Sequence, residues 1–313
     1  MRILILGAGG TGGYFGGRLA QSGADVTFLV RPPRAALLHE RGLRIRSALG
    51  DAQLEVAAVT TAQLGALPPF DLVLLSCKAY DLDSAIEAIA PAVGSGTTVL
   101  PILNGLLHYD ALDARFGRPR VAGGLCFISA MLDAGGVVVH MGRPASITYG
   151  LRADNTDTGV LAALDAACAR AGVDHLFAAD IGQAQWIKFS FLAALAAGTC
   201  LLRGSVGAIA ASEGGEAFMA GVHDECLAVA AAEGQPVPAD EAGVARGQLT
   251  RAGSPVTASM LRDLEAGRPV EALQIVGDLV HRARRAGLDV PRLAAAWTHL
   301  QVYEAARRAP PPA

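Results

Sequence analysis

Short apolar runs alternate with mixed apolar and polar stretches through the first part of the chain, and then the alternation stops. Runs of four to eight apolar residues bounded by turn residues are the length of buried strands, whereas longer mixed stretches suit helices. On that basis strands are predicted at residues 2–6, 25–30, 70–76 and 97–103, with helices at about 10–22 and 82–92. Residues 43–47 and 54–59 read as strands of a local hairpin or extension. Residues 121–129, 136–141 and 146–150 read as strands that close the sheet in a meander. A helix at about 156–171 and a strand at 174–177 finish this half. From about residue 180 onward only helices are predicted, at 183–197, 205–211, 215–233, 239–250, 259–266, 270–286 and 291–308, before a tail at Pro310–Pro312. Strands alternating with helices imply βαβ units and a mostly parallel sheet. The expected fold class is therefore α/β: a Rossmann-type doubly wound domain over residues 1–179, followed by an all-α domain over 180–313.

Composition supports a folded two-domain chain. It has 313 residues, 52% hydrophobic and 18% charged, with a formal net charge of −3. Such a surface has no basic footprint for a nucleic-acid backbone, so the expected partner is a small molecule. The five cysteines, Cys77, Cys126, Cys168, Cys200 and Cys226, are scattered and show no metal-ligand spacing. An odd, unpatterned set fits a reducing compartment. The N-terminus turns to glycine too soon for a signal sequence. The longest apolar stretch, residues 189–202, is short for a membrane span and contains Gly198, so it reads as a buried core helix. A cytoplasmic location is expected, with no membrane partner and no metal. Among 26 Lys and Arg residues, Lys78 and Lys188 are the only lysines. In a chain so biased to arginine, the surviving lysines are candidates for work that needs an exchangeable proton.

The first candidate site is the turn Gly7-Ala8-Gly9-Gly10-Thr11-Gly12, which has the spacing Gly-x-Gly-x-x-Gly. Such spacing is weak alone, but here a predicted strand enters it and a predicted helix leaves it. Gly7 permits the tight turn, Gly9 lets backbone approach a pyrophosphate, and Gly12 lets helix pack on strand. The helix N-terminus then offers free N–H groups to phosphate. Where the second strand ends, an NAD-specific protein carries an acid for the ribose 2′-hydroxyl. This chain has Arg31, with Arg34 three residues on, which favours NADP(H).

Two polar positions follow later strands: Lys78 after the third core strand and Asn104-Gly105 after the fourth. In doubly wound sheets ligands bind outside such strand ends. Lys78 reads as a cofactor- or substrate-facing cation or as a solvated helix start, and Asn104-Gly105 as a ligand site or a plain turn. Lys188 is one charge on an apolar helical run. It either snorkels to water or faces a polar cleft, where its ammonium could protonate a ketone oxygen. In SMLRDLEAGRPVE, Ser259, Arg262 and Asp263 share a helix and Glu271 opens the next.

Taken together, RILILGAGGTGGYFGGRLAQSGADVTFLVR, LLSCKAYDL, ILNGL, VVVHMGRPASITYG, WIKF and SMLRDLEAGRPVE resemble the ketopantoate reductase (2-dehydropantoate 2-reductase) family, in its order and over nearly the whole chain. The resemblance implies reduction of a 2-oxo acid by NADPH, with ketopantoate to pantoate in pantothenate biosynthesis as the default. It implies Lys188 as general acid and Glu271 as its hydrogen-bonding partner. Lys78 and Asn104 would stand at the reactive end of the cofactor, and Ser259 would bind the substrate carboxylate. Three positions depart from the family pattern: asparagines are expected where this chain has Leu192, Ala196 and Val256. Apolar side chains cannot satisfy a substrate hydroxyl. The same chemistry on a more apolar 2-oxo acid is thus a second expectation, and a catalytically silent NADPH sensor a third. A monomer or homodimer is compatible with the sequence.

Overall fold

The computed structural model describes residues 1–153, 155 and 158–308. The tail at 310–312 and the predicted helix start at 156 lie outside them. By internal packing the chain divides into two units, Met1–Leu103 with His108–Ile181, and Asn104–Leu107 with Gly182–Ala313. The segment Asn104–Leu107, inside the stretch read as nucleotide-binding, therefore packs with the helical unit.

In the first unit, β1 (Arg2–Leu6), α1 (Gly10–Gln21), β2 (Asp25–Leu29), α2 (Pro32–Arg41), β3 (Leu43–Ser47), β4 (Ala52–Leu54), β5 (Ala57–Val59) and the one-turn α3 (Thr61–Leu64) come first. They are followed by β6 (Leu72–Leu75), α4 (Leu82–Ile89), β7 (Thr98–Pro101), α5 (His108–Phe116), β8 (Gly123–Leu132), β9 (Val138–Gly150), α6 (Thr158–Ala171) and β10 (Asp174–Phe177). Five strands form a sheet in the order β5-β2-β1-β6-β7. All its pairings are parallel, with Ile5 opposite both Phe28 and Leu74. Ile3, Leu4, Ile5, Leu72, Val73 and Leu74 are buried, as strands covered on both faces require. The direction of winding reverses between β1 and β6. That reversal opens a crevice at the carboxyl ends of those two strands.

The remaining strands do not close this sheet as a meander. They build a second one, β10-β9-β3-β4, with β8 antiparallel to β9. Residues 138–150 are a single long strand whose first part pairs with β3 and whose last part pairs with β10. The run predicted at 54–59 splits, because Ala52–Leu54 pairs with β3 while Ala57–Val59 joins β2. Helix α1 serves both sheets, and its glycines explain how. A Cβ on Gly16 would stand 2.8 Å from the Phe28 ring, and one on Gly17 would stand 2.6 Å from Ile45. On the same helix Tyr14, Phe15 and Leu19 are buried, each contributing about 1.5–3 kcal/mol by leaving water.

The second unit is helical: α7 (Ile181–Leu202), α8 (Val206–Ala210), α9 (Gly215–Ala232), α10 (Ala239–Leu249), α11 (Ser259–Glu265), α12 (Asp278–Arg285) and α13 (Pro291–Arg308). A π-helical turn, Leu273–Gly277, runs straight into α12 where one continuous helix was expected. Helix α7 is long and apolar enough to cross a membrane by length and composition, yet 67% of its most apolar window is buried inside the protein. It is apolar all round because other helices surround it. Gly198 does not end it, the helix running on to Leu202; the glycine instead makes room for α9, since a Cβ there would fall 2.3 Å from Met219 Sδ. The buried Glu225 on α9 caps α13, accepting from the backbone N–H groups of Arg292 (3.1 Å) and Leu293 (2.8 Å). Among the described residues no cysteine forms a disulfide, and all five but Cys77 are buried.

Candidate active site

The crevice predicted by the winding of the first sheet is present within the first unit as a cleft of about 580 Å³. Its floor is Leu6, Gly7, Ala8 and Gly9 from the glycine turn with Ser76 and Cys77 from the end of β6, and Arg31 and Asp81 stand among its walls. Gly7 has φ +88°, a conformation that glycine adopts without cost. Its N–H donates to Leu29 O at 2.9 Å, and Ser76 Oγ donates to Leu6 O at 3.1 Å, so the turn is tied to strands on either side. A Cβ on Gly12 would come within 2.4 Å of Gly7 O, so this position is reserved for glycine by the fold itself. Gly10 is bare for a similar reason, facing Ala130 O of β8 at 2.5 Å. Gly7 and Gly9 are different: nothing lies within 4 Å of a Cβ built on either. Their bareness is toward open space, which is the cradle a pyrophosphate needs. No acidic side chain occupies the first turn of α1, so its N-terminal dipole is uncompensated. The residues present fit a dinucleotide.

The two arginines read beside this turn part company. Arg31 is mostly exposed, with Nη2 3.2 Å from Asp81 Oδ1. Arg34 also lines the cleft, but its Nη2 donates to Ala8 O and its Nη1 to Gly136 O, both at 2.9 Å. Burial and the neighbouring Arg44 lower its pKa. It is a strut between the glycine turn and the β8–β9 connection, a role its place in the sequence does not signal. Lys78 is half-buried and precedes the 3₁₀ turn Ala79–Asp81, to which its carbonyl bonds (Asp81 N–H to Lys78 O, 2.9 Å). Thr11 lies in the first turn of α1 and is half-buried.

In the second unit, Lys188 on α7 is 8% exposed and its ammonium donates to Asn104 Oδ1 at 3.1 Å. Asn104 follows β7 by only three residues in the chain, yet it packs with the helices. The adjacent Gly105 has φ +77°, and a Cβ there would stand 2.3 Å from Gln274 O in the π-helical turn. The turn carrying Asn104 is thereby fixed against the segment that follows Glu271, itself buried at 5% exposure. π-Helical turns concentrate at functional sites. Ser259 is half-buried at the first position of α11, and Asp263 on the same helix is paired with Arg268 at 2.8 Å. Of the three departing positions, Ala196 is wholly enclosed in the helical core, Leu192 packs against that core, and Val256 is 46% exposed. Ala196 is thus a packing residue rather than part of an open pocket.

The first unit thus carries a dinucleotide cradle, and the second a buried, hydrogen-bonded lysine. The family profile "Ketopantoate reductase PanE/ApbA" matches residues 3–154, and "Ketopantoate reductase PanE/ApbA C terminal" matches residues 180–304. The chain belongs to the ketopantoate reductase family. Family membership makes it an oxidoreductase that works with a nicotinamide dinucleotide. Over 306 residues it is 36% identical to "Uncharacterized oxidoreductase YkpB" of Bacillus subtilis, covering 97% of this chain and 99% of that one. It is 30% identical to the 2-dehydropantoate 2-reductase of Halobacterium salinarum, covering 93% and 95%. The crystal structure of 2-dehydropantoate 2-reductase from Geobacter metallireducens superposes with a TM-score of 0.86 at 31% identity, covering 96% and 99%.

Proposed function

We propose that this chain reduces a 2-oxo acid to the 2-hydroxy acid with NADPH, ketopantoate being the default substrate, and that Lys188 is the general acid. The observation that carries this reading is the buried Lys188 ammonium held by Asn104, in a chain with one other lysine. The dinucleotide, when bound at the glycine turn, would supply the hydride for the carbonyl carbon. Lys188 holds a proton for the carbonyl oxygen, where negative charge develops, and general acids placed this way contribute about 10²–10⁴-fold. Asn104 fixes the ammonium's direction through its Oδ1. In this reading Glu271, buried beside the π-helical turn, is the lysine's second partner, Ser259 binds the substrate carboxylate, and Lys78 acts at the reactive end of the cofactor. Gly7, Ala8 and Gly9 take the pyrophosphate with N–H groups from Gly10, Thr11 and Gly12, and Arg31 takes the 2′-phosphate.

A second reading keeps the chemistry and changes the substrate. Leu192, one helical turn beyond Lys188, and the exposed Val256 replace amides with apolar surface and favour a 2-oxo acid without a hydroxyl. Loss of NADPH absorbance, followed over a panel of 2-oxo acids, separates the two: a branched unhydroxylated acid turned over faster than ketopantoate supports the second. Tight NADPH binding with no turnover on any of them refutes both. We extend the reading to a cytoplasmic monomer or homodimer; cysteines without disulfides suit the compartment, and sedimentation velocity tests the assembly.

A further inference from the structure

Arg31 does not face the cleft alone. Asp81 occupies the N-cap position of α4, where an aspartate ordinarily accepts from the free N–H groups of the first turn. No such side-chain cap is made. The carboxylate turns instead to Arg31, with Oδ1 3.2 Å from Nη2, and both residues line the cleft that holds the glycine turn. The side chains are 80% and 41% exposed, so the pair meets whatever enters from solvent. The other arginine lining this cleft, Arg34, is committed to the carbonyls of Ala8 and Gly136. The formal charge of the Arg31–Asp81 pair is therefore zero at the place where the reading above puts a phosphate.

A phosphate monoester carries about −1.5 to −2 charges at neutral pH. It gains Arg31 by drawing the guanidinium off Asp81, and it then remains within reach of that carboxylate's field. A ribose 2′-hydroxyl meets neither opposition, and a carboxylate can accept its proton in a hydrogen bond. We infer that Asp81 is a specificity-determining residue that narrows the preference of this cleft for the 2′-phosphorylated dinucleotide over the unphosphorylated one. The inference rests on the assignment of Arg31 to the 2′-phosphate.

The test is fluorescence titration of the full chain with NADPH and with NADH, reading the ratio of the NADH to the NADPH dissociation constant. Asp81→Asn removes the charge, keeps the shape and remains a good N-cap. It also spares the bond from Ser84 Oγ to the backbone carbonyl of residue 81. The ratio should rise about two- to tenfold at low salt, as expected for an exposed charge pair, and the gain should shrink towards 1 M salt, where the screening length is about 3 Å. Asp81→Ala should move it in the same direction. A ratio unchanged or lowered in both variants overturns the role of Asp81. Arg31→Ala is titrated in parallel. If it lowers the ratio while Asp81→Asn leaves it alone, only the inference about Asp81 fails. If it leaves the ratio as in the wild type, the assignment of Arg31 fails and takes the role of Asp81 with it.

Discussion

Gly9→Ala separates what the glycine turn does for the fold from what it does for a ligand. Gly9 is the N-cap of α1 at φ −83° and ψ −161°, extended backbone that any L-residue adopts. Nothing lies within 4 Å of the added Cβ. Alanine narrows the unfolded ensemble by about 0.4–1 kcal/mol relative to glycine and is a poorer N-cap by a similar amount, so free stability should stay within about 1 kcal/mol. The methyl would instead fill space into which a pyrophosphate must settle. Losing one charge-assisted N–H bond to phosphate costs about 1.5–3 kcal/mol, or about a 10- to 150-fold rise in the NADPH dissociation constant. The readout is thermal unfolding with and without cofactor. At NADPH 100 times the wild-type constant, binding stabilises the wild type by about 2.7 kcal/mol, and a variant some 50-fold weaker retains about 0.6 kcal/mol. The cofactor-induced shift should collapse while the free melting temperature holds. Gly12→Ala should do the reverse first, lowering free stability, because its Cβ meets the backbone oxygen of Gly7 at 2.4 Å. Wild-type NADPH affinity in Gly9→Ala would refute the placement of the pyrophosphate. So would a loss of free stability as large as that of Gly12→Ala.

Lys188→Met should lower kcat by about 10²–10⁴-fold with the NADPH dissociation constant within about twofold of wild type; an ordinary rate would remove the lysine from the chemistry. Asn104→Ala, which deletes the acceptor 3.1 Å from that ammonium, should cost about tenfold or more in kcat/KM, and unchanged steady-state kinetics would contradict a positioning role. Glu225→Ala strips the cap of α13, including the 2.8 Å bond from Leu293 N–H, and should lose about 2–4 kcal/mol in urea unfolding. A loss below about 1 kcal/mol would show that water replaces the carboxylate. Burial holds the His223 imidazole down at about 4, against an ordinary 6.5, so the folded protein keeps it neutral while the unfolded chain takes up its proton first. Stability present above pH 6.5 should therefore be lost as pH falls towards 4, by up to about 3 kcal/mol, and His223→Gln should flatten that slope. Parallel slopes in the two proteins would count against it.

Apart from the three-residue β5, which the run 54–59 hides, the first sheet was legible because apolar residues dominate its strands, ILIL and LVLL among their runs. The second was not. Gly142 and Pro144 interrupt β9 in the sequence like a turn, yet the strand continues through them, and the extra residues sit in β9 itself, where the pairing steps from Ile128 with Ala145 to Ala130 with His140. Helix α2 was hidden by its opening prolines, which punctuate loops in a sequence but suit the first turn of a helix in space. Helix α5 gives no sequence signal because it carries only nine residues with little apolar periodicity. At the site, the glycine turn announced itself through spacing and Lys188 through rarity. The bond between Lys188 and Asn104 spans 84 positions and no local pattern encodes it. The diverted Arg34 and the pairing of Asp81 were equally invisible, since both depend on where a flexible side chain finds its partner. A carboxylate three residues after Lys78 was the available clue to the second.

The route of the chain through Asn104–Leu107 bears on how such proteins can be recombined. The helical unit begins at Gly182, but the asparagine that holds its lysine is encoded some eighty positions earlier, in a loop of the nucleotide-binding half. A helical half transplanted onto a related nucleotide-binding half would bring its own lysine and inherit a stranger's asparagine, together with a stranger's glycine against the carbonyl of Gln274. Chimaeras joined at residue 181 should thus fail at that loop before they fail at the seam, and carrying residues 104–107 along with the helices should restore them.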